Sequence, residues 1–536
     1  MRHFRLMKKF YSFCVPIFLL ASIFAGCKKN TVNKPTTGSS AGKGAEGKTN
    51  PVVPITSEAK LSNFKINGVS CAFDSLTNSY YYPLSSGTSL TNYTVSFDTT
   101  QAVAITINNA RITNGASVNY ELKTNQQVDV YALNSLNVTT KYGLIITGMP
   151  MVNLKTNAAI GDNEISASFD LVDPDYQLQK SKLDISSNIM IALRGATSRY
   201  YPKSSYAVHV VDNGGNDKDV SLLGLRNDNS WILDAMYIDQ SRMRNRVCTD
   251  LWNTFNNVPY IAKEPTALNG THGYMTEVFL NNKYQGIYCL TEKVDRKQLQ
   301  INKQYGNMYK ADFWTNQSDF TSVIPYDNTI DTWGGWELEY PDIGDVPAPN
   351  WGYLYNEVNY IATSSDADFS ANIQSKVDIN NMVDYFIFIN VLGAPDNENK
   401  NTYFSFYDYR DAGAFFYSPW DLDGTFGRNA NGGYYSNQLT YGFNNNLLSR
   451  LLQLNVANFK GLLKTRWAAL KQNQLSKTTV NARIENYRNI MVTTNAFARE
   501  QLIWTNISQD LNTEAVYMDT WYSAQYDLFD NYINDL

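Results

Sequence analysis

Ala394-Pro395-Asp396-Asn397-Glu398-Asn399-Lys400-Asn401, followed by Ser418-Pro419-Trp420-Asp421-Leu422-Asp423-Gly424-Thr425-Phe426-Gly427, is the stretch on which the reading of this chain turns. It holds two acidic clusters in a sequence that is otherwise poor in charge. Between them, Tyr403 to Tyr407 and Ala414 to Tyr417 have the aromatic, β-prone character of paired strands. A hairpin there brings both clusters to one end of a small sheet, where carboxylates and amides suit a hard cation such as Mg2+ or Ca2+. Counting excludes a calcium loop of the helix-loop-helix kind, which needs Gly at its sixth position and Glu at its twelfth. From Asp421 those positions are Phe426 and Gly432, and from Asp396 they are Asn401 and Tyr407.

A phosphotransferase spacing fits better. Protein kinases place a catalytic-loop Asp five residues before a metal-binding Asn, then a second metal-binding Asp after a short strand pair. Asp396 and Asn401 have that offset, Asp421 and Asp423 follow, and Asp423-Gly424 echoes the Asp-Phe-Gly turn loosely. A carboxylate there orients a hydroxyl proton, while an amide and carboxylates hold metal against phosphate oxygens. Asp and Asn that merely cap turns would give the same letters, so spacing alone leaves both readings open.

On the C-terminal side, helical periodicity dominates from about 445: Leu447 to Leu454, Phe459 to Gln472, Thr479 to Met491, and the end around Tyr526 to Leu536. Residues 152–440 mix strands and helices. Tyr274 to Leu280 and Gln285 to Val294 flank a hairpin turn. Asp239-Gln240-Ser241 precedes Met243, Val247, Leu251 and Phe255 at helical spacing, and Asp378 caps a helix carrying Met382, Tyr385, Phe386 and Ile389. From 57 to 151 the pattern is short and alternating, as in Tyr93 to Phe97, Val103 to Ile107 and Val128 to Tyr131. That predicts an all-β sandwich of about seven strands, Ig-like, acting as a spacer or binding module.

Composition narrows the function classes. Of 536 residues 18 % are charged and the net charge is −5, which gives no electrostatic reason to expect nucleic-acid binding. Three histidines (His3, His209 and His272) leave little room for a His-rich zinc site. Cys71, Cys248 and Cys289 lack C-x-x-C spacing, and Cys289, in an apolar strand pattern, reads as a small buried hydrophobe.

The N-terminus sets the compartment. Arg2, Arg5, Lys8 and Lys9 precede an apolar run from Phe10 to Phe24, too short for a comfortable spanning helix. The run ends in Phe24-Ala25-Gly26-Cys27, which resembles a bacterial lipobox: residues 1–26 as signal peptide and Cys27 as the lipidated first residue. An ordinary secretory signal cut near Ala25 is the alternative. Residues 27–56 read as a flexible tether. Within it, Gly42 to Thr49 matches a phosphate-loop pattern by letter, but no strand precedes it and Pro51 and Pro54 follow, so it is rejected as a nucleotide site.

With the flanking pieces in order, the central stretch resembles the signature of the CotH family, atypical kinases named for a spore-coat protein H. Leu193-Arg194-Gly195-Ala196-Thr197-Ser198-Arg199 through Pro202-Lys203-Ser204-Ser205-Tyr206 is similar to an R-G-x-x-S…P-K-x-S-Y segment. Trp231 to Ala235, then Asp239, Ser241 and Arg244, resembles W-x-L…D-x-S-x-x-R. Glu277 to Tyr288, then Glu292, is like the family hairpin. The likeness runs from 152 to 536. It implies a bilobal, protein-kinase-like α+β domain with a helical C-terminal part, which moves the ATP γ-phosphate to protein Ser or Thr with Mg2+ or Mn2+. By matching motif, Lys203 would hold ATP phosphates and serve catalysis, with Arg194 a further cofactor-binding residue and Glu292 either the partner of Lys203 or another cofactor-binding, active-site residue. Asp396 would be the base-like Asp, and Asp421, Asp423 and Asn401 the metal ligands. No G-x-G-x-x-G loop is present, so the phosphates must be covered in another way.

The expected setting is the bacterial cell envelope, lipid-anchored outside the cytoplasm, with an envelope or secreted protein as substrate. The β-sandwich would take a glycan or protein ligand. The competing reading is a catalytically inactive adhesion or binding lipoprotein on a kinase-like scaffold.

Overall fold

The computed structural model describes residues 58–342, 350–410, 414–429, 431–437, 445–507 and 510–536. The expected signal peptide, Cys27, the tether and its Gly42–Thr49 stretch lie outside the described residues.

Residues 60–147 form two main sheets around one core. One sheet orders Val69–Ser70, Lys60–Ile66, Tyr93–Thr100 and Ser117–Val118. The other orders Ala72–Asp74, Ser79–Pro83, Thr139–Thr147, Gln127–Asn134, Ala102–Ile107 and Ala110–Ile112. Alternation puts Tyr93, Val95 and Phe97 of the first sheet and Val128, Val130 and Ala132 of the second into the shared core. The strands are shorter and more numerous than the alternation suggested. Asn63, Asn67, Asn92, Asn108 and Asn109 all have positive φ and interrupt or end them, and Asn63 lies within a register shift.

The chain then passes through Gly148 into a closed barrel. Its strands are β1 (Met151–Lys155), β2 (Ile165–Val172), β3 (Asp184–Leu193), β4 (Tyr206–Val211), β5 (Ser230–Asp234), β6 (Gly273–Leu280) and β7 (Lys283–Thr291). The order around the barrel is β1-β2-β3-β4-β5-β7-β6, closed by parallel pairing of β6 with β1. Leu154, Phe169, Ile189, Val208, Trp231 and Leu290 are among the side chains that fill it. β6 and β7 form the hairpin expected from sequence.

A second sheet follows, from β8 (Asn307–Ala311), β9 (Thr332–Trp333), β10 (Trp336–Tyr340), β11 (Thr402–Phe406) and β12 (Phe416–Pro419), in the order β9-β10-β8-β11-β12. Pairing of β11 with β12 makes the hairpin between the two acidic clusters. The α-helices of eight residues or more among the described residues are α1 (Arg244–Trp252), α2 (Gly352–Thr363), α3 (Ile379–Val391), α4 (Asn446–Gln453), α5 (Phe459–Leu470), α6 (Lys477–Thr493), α7 (Ala496–Ile503) and α8 (Leu511–Asp535). Asp378 caps α3 by accepting the Asn381 N–H at 2.7 Å. From Asn381 to Val391 every residue of α3 is buried. This helix therefore lies inside the layer, between β12 and helices α5 and α8, rather than presenting one apolar face. No helix among the described residues is long and apolar enough to cross a membrane.

α2 also buries Glu357. Among the described residues its Oε1 has no hydrogen-bond partner, and Lys376 stands 3.9 Å from Oε2. Burial, only partly offset by Lys376, pushes this carboxyl up to about 7. The folded state holds the proton more tightly than the unfolded chain, so Glu357 lowers stability progressively as pH rises from about 4.5 to 7. Glu357→Gln is expected to stabilise the protein at pH 8 by up to about 2–3 kcal/mol and to change little at pH 4.5. Denaturant melts at the two pH values check this; equal effects at both would contradict it.

Candidate active site

A cavity of about 570 Å3 opens where the barrel meets the second sheet, and Arg194, Lys203, Asp396, Asn401, Asp421 and Asp423 all line it. The two acidic clusters reach it from the same open end of the β11–β12 hairpin, one before β11 and one after β12. Thr402 pairs with Pro419, so the residues just outside the ladder, Asn401 and Trp420, are adjacent, and the Trp420 N–H donates to the Asn401 carbonyl at 3.0 Å.

Asn397 fastens the two loops. Its Nδ2 donates to the Asn401 carbonyl at 2.9 Å and the Trp420 carbonyl at 2.7 Å, and its own carbonyl accepts the Tyr385 hydroxyl at 2.6 Å. Asn401 and Asp421 both have left-handed backbone, φ 52° and 55°, a region that short polar side chains tolerate and that recurs at functional sites. Asn397→Ala leaves two carbonyls short of a donor. It is expected to cost about 1–3 kcal/mol and to loosen both clusters together; unchanged thermal stability would contradict this fastening role.

Asp396 is held on both oxygens. Trp314 Nε1 donates to Oδ1 at 3.0 Å, while Asn401 Nδ2 and Lys400 Nζ reach Oδ2 at 2.6 and 3.2 Å. The carboxylate is thus fixed in orientation at the cavity wall. Asp421 and Asp423 are different, because surrounding protein and like charge dominate them. Asp421 faces the water of the cavity but protein encloses it. Burial, then Asp234 and Asp396, raise its carboxyl, while Arg194 and Lys400 pull it back. Asp423 rises further, through burial and then Asp421, Asp239, Asp234 and Asp396. Arg194, whose guanidinium lies over the Trp420 ring at 5.5 Å, is a nearby counter-charge.

Asp234, within the Trp231–Ala235 motif, is a cavity residue beyond those expected from sequence. Its Oδ1 accepts from Ser205 Oγ at 3.2 Å and Met236 N at 3.1 Å. Asp239 is sealed in: Ser241, Met243 and Arg244 saturate it, and although burial raises its carboxyl, Arg244 holds it below its ordinary value. Arg244 also donates to the Thr425 carbonyl at 3.1 Å and pairs with Glu514 of α8 at 3.1 Å. The D-x-S-x-x-R motif therefore braces the Asp421–Gly427 loop. Gly427 completes the brace, because a Cβ there would lie 2.4 Å from both the Tyr517 hydroxyl and Trp521 Cδ1.

Lys203 is 1 % exposed. Its ammonium donates to the Ile287 carbonyl and to Glu500 Oε1 at 2.7 Å, and lies 4.6 Å from the centre of the Tyr288 ring. Burial, only partly countered by Glu500, brings it down to about 8. Its carboxylate partner is therefore Glu500, on a helix that sequence reading did not find, and Glu292 is corrected from that role. Glu292 lines a separate recess, where the N–H groups of His272 and Arg226 and the Gln298 amide occupy its oxygens. Burial raises this carboxyl, but the His272 side chain, then the His272 and Arg226 N–H groups, hold it below its ordinary value.

Among the described residues no three acidic, imidazole or thiol groups are arranged to hold a metal ion by themselves. Asp421, Asp423 and Asn401 all line the cavity, and their carboxylate and amide oxygens are the hard-oxygen type that would suit Mg2+, with water and phosphate oxygens completing its shell. Two carboxylates under mutual repulsion fit a cation chemically.

The family model described as CotH kinase protein matches residues 191–529, more than half of the chain. Inner spore coat protein H of Bacillus subtilis (strain 168) is 25 % identical over 256 residues, which span 48 % of this chain and 62 % of that protein. The match takes in the barrel from the end of β3, the β11–β12 hairpin and every residue named in the cavity, so the chain belongs to the CotH kinase protein family.

Proposed function

We propose that this protein is an atypical protein kinase with a bilobal, kinase-like arrangement, transferring the ATP γ-phosphate to Ser or Thr of a protein. The observation that carries this reading is the convergence of Asp396, Asn401, Asp421, Asp423, Arg194 and Lys203 on one cavity from three separate stretches of sequence. Asp421, Asp423 and Asn401 would hold Mg2+ or Mn2+, which would supply positive charge against the charge of the transferred phosphate. Asp396, fixed by Trp314, Lys400 and Asn401, orients the acceptor hydroxyl and takes its hydrogen bond. Arg194, stacked on Trp420, supplies positive charge for phosphate oxygens. Lys203 reaches a phosphate by exchanging its bond to the Ile287 carbonyl while Glu500 keeps it charged and placed.

The proposed setting is the bacterial envelope, with Cys27 lipidated after removal of residues 1–26, the tether 27–56 giving reach, and an envelope or secreted protein as acceptor. A melting-temperature shift with Mg2+ and ATP together, absent with either alone, is the expected result. No shift with any nucleotide and divalent cation would count against the reading. A second reading, a binding scaffold without catalysis, draws on the commitment of the Lys203 ammonium to Ile287 and Glu500. It is distinguished by nucleotide binding that leads to no phosphoryl transfer.

A further inference from the structure

α7 carries two adjacent residues that grip different parts of the molecule. Glu500 is fully buried: Oε1 accepts from Lys203 Nζ at 2.7 Å and Arg242 Nε at 2.8 Å, and Oε2 accepts the Ile287 N–H at 2.7 Å. Arg499 turns the other way. Its Nε donates to Glu277 Oε1 at 2.9 Å, and its Nη2 reaches Thr147 Oγ1 at 3.2 Å. Thr147 ends the last strand of the N-terminal β module. It is fully buried and its hydroxyl also donates to Glu277 Oε2. Tyr284 of β7 donates to Glu277 Oε1 at 2.6 Å, so a single carboxylate collects the module, the barrel hairpin and α7.

The surroundings make this junction stiff. Tyr81 of the module stacks on Tyr284 at 5.6 Å and meets Phe279 edge-on at 4.9 Å. The Ser75 N–H donates to the Asn282 carbonyl at 2.8 Å. Just before α7, Thr494 approaches Gly148 so closely that a Cβ there would stand 2.8 Å from its Cγ2. α7 is short and Leu502 on it is 81 % exposed, so its placement depends on these side-chain grips more than on a broad apolar face.

We infer that the N-terminal β module is a built-in support for the cavity, in which Thr147, Glu277 and Arg499 are positioning residues that act on Lys203 through Glu500. The module then does more than space or bind: it fixes α7 in the orientation that keeps the Lys203 ammonium in the cavity wall. Loss of the Arg499 grip frees α7 to rotate or fray, and Glu500 moves with it. Only the phosphotransfer readout below rests on the proposed function.

The test uses the full chain and a small amine-acylating reagent, with modification at Lys203 followed by mass spectrometry. Arg499→Met and Thr147→Val are expected to speed Lys203 acylation about tenfold or more, the scale of a modest local opening. Arg499→Lys, which keeps the charge on Glu277, should restore most of the protection, and Leu502→Ala should leave it unchanged. Hydrogen exchange should rise in 496–503 and 283–291 in the same variants. If Arg499→Met does not fold, Thr147→Val decides alone. Acylation and exchange at wild-type rates in folded Thr147→Val, and in Arg499→Met where it folds, would overturn the inference. Where wild type transfers phosphate, the variants should raise KM for ATP more than they lower kcat. A wild type without transfer speaks against the proposed function only and leaves the labelling result to stand.

Discussion

Replacing Asp421 by Asn is expected to abolish metal-dependent phosphoryl transfer, by about a thousandfold or more, and to raise the melting temperature of the metal-free protein. Both effects have one cause. Asp421 stands in a wall that it shares with Asp423, Asp234 and Asp396, where burial and like charge push its carboxyl upward. Asn removes one repelling charge, keeps the shape, and suits the left-handed backbone at φ 55° as well as Asp does. Under the proposed function the same change takes away an anionic oxygen that would hold Mg2+, so stability and activity are expected to move in opposite directions. A residue that only capped a turn would give a different result: a small loss of stability and no loss of transfer.

Glu500→Ala is expected to destabilise the protein by about 3–5 kcal/mol, the largest stability effect among the changes considered. The substitution strands Lys203 and Arg242, both buried, and leaves the Ile287 N–H without its acceptor. Gly286 makes the close approach possible: at φ +90° a Cβ there would lie 1.9 Å from Glu500 Oε2. Gly286→Ala should therefore mimic part of the Glu500→Ala loss. Denaturant midpoints for the two variants check both claims. A Glu500→Ala midpoint close to wild type would mean that the buried pair is not holding α7 to β7.

What could be read from sequence follows from how local each signal is. The β11–β12 hairpin, the β6–β7 hairpin and the Asp378 cap all come from neighbouring residues, and all are present. The cavity aspartates and Asn401 were legible because their spacing across a hairpin is itself short-range. Glu500 was not. It reaches Lys203 across nearly three hundred residues, from a helix too short to show a strong period, while Glu292 at the end of the barrel hairpin looked equally suitable. Trp314 gave no signal either, since its role depends on where a loop before β9 lies against Asp396. Asp234 is marked in sequence only by its place in the Trp231–Ala235 motif. Barrel closure was hidden for a related reason: β1 pairs with β6 through a parallel contact that no local pattern records.

The most direct measurement is transfer of radiolabel from [γ-32P]ATP, with Mg2+ or Mn2+, to the protein itself or to a Ser- and Thr-containing acceptor, with Asp421→Asn as the blank. Metal-dependent label on Ser or Thr in wild type, reduced to background in Asp421→Asn, is the expected result. A folded wild-type protein that binds ATP yet transfers no label to any acceptor, or an Asp421→Asn variant that labels as well as wild type, would contradict the assignment of this cavity to phosphoryl transfer.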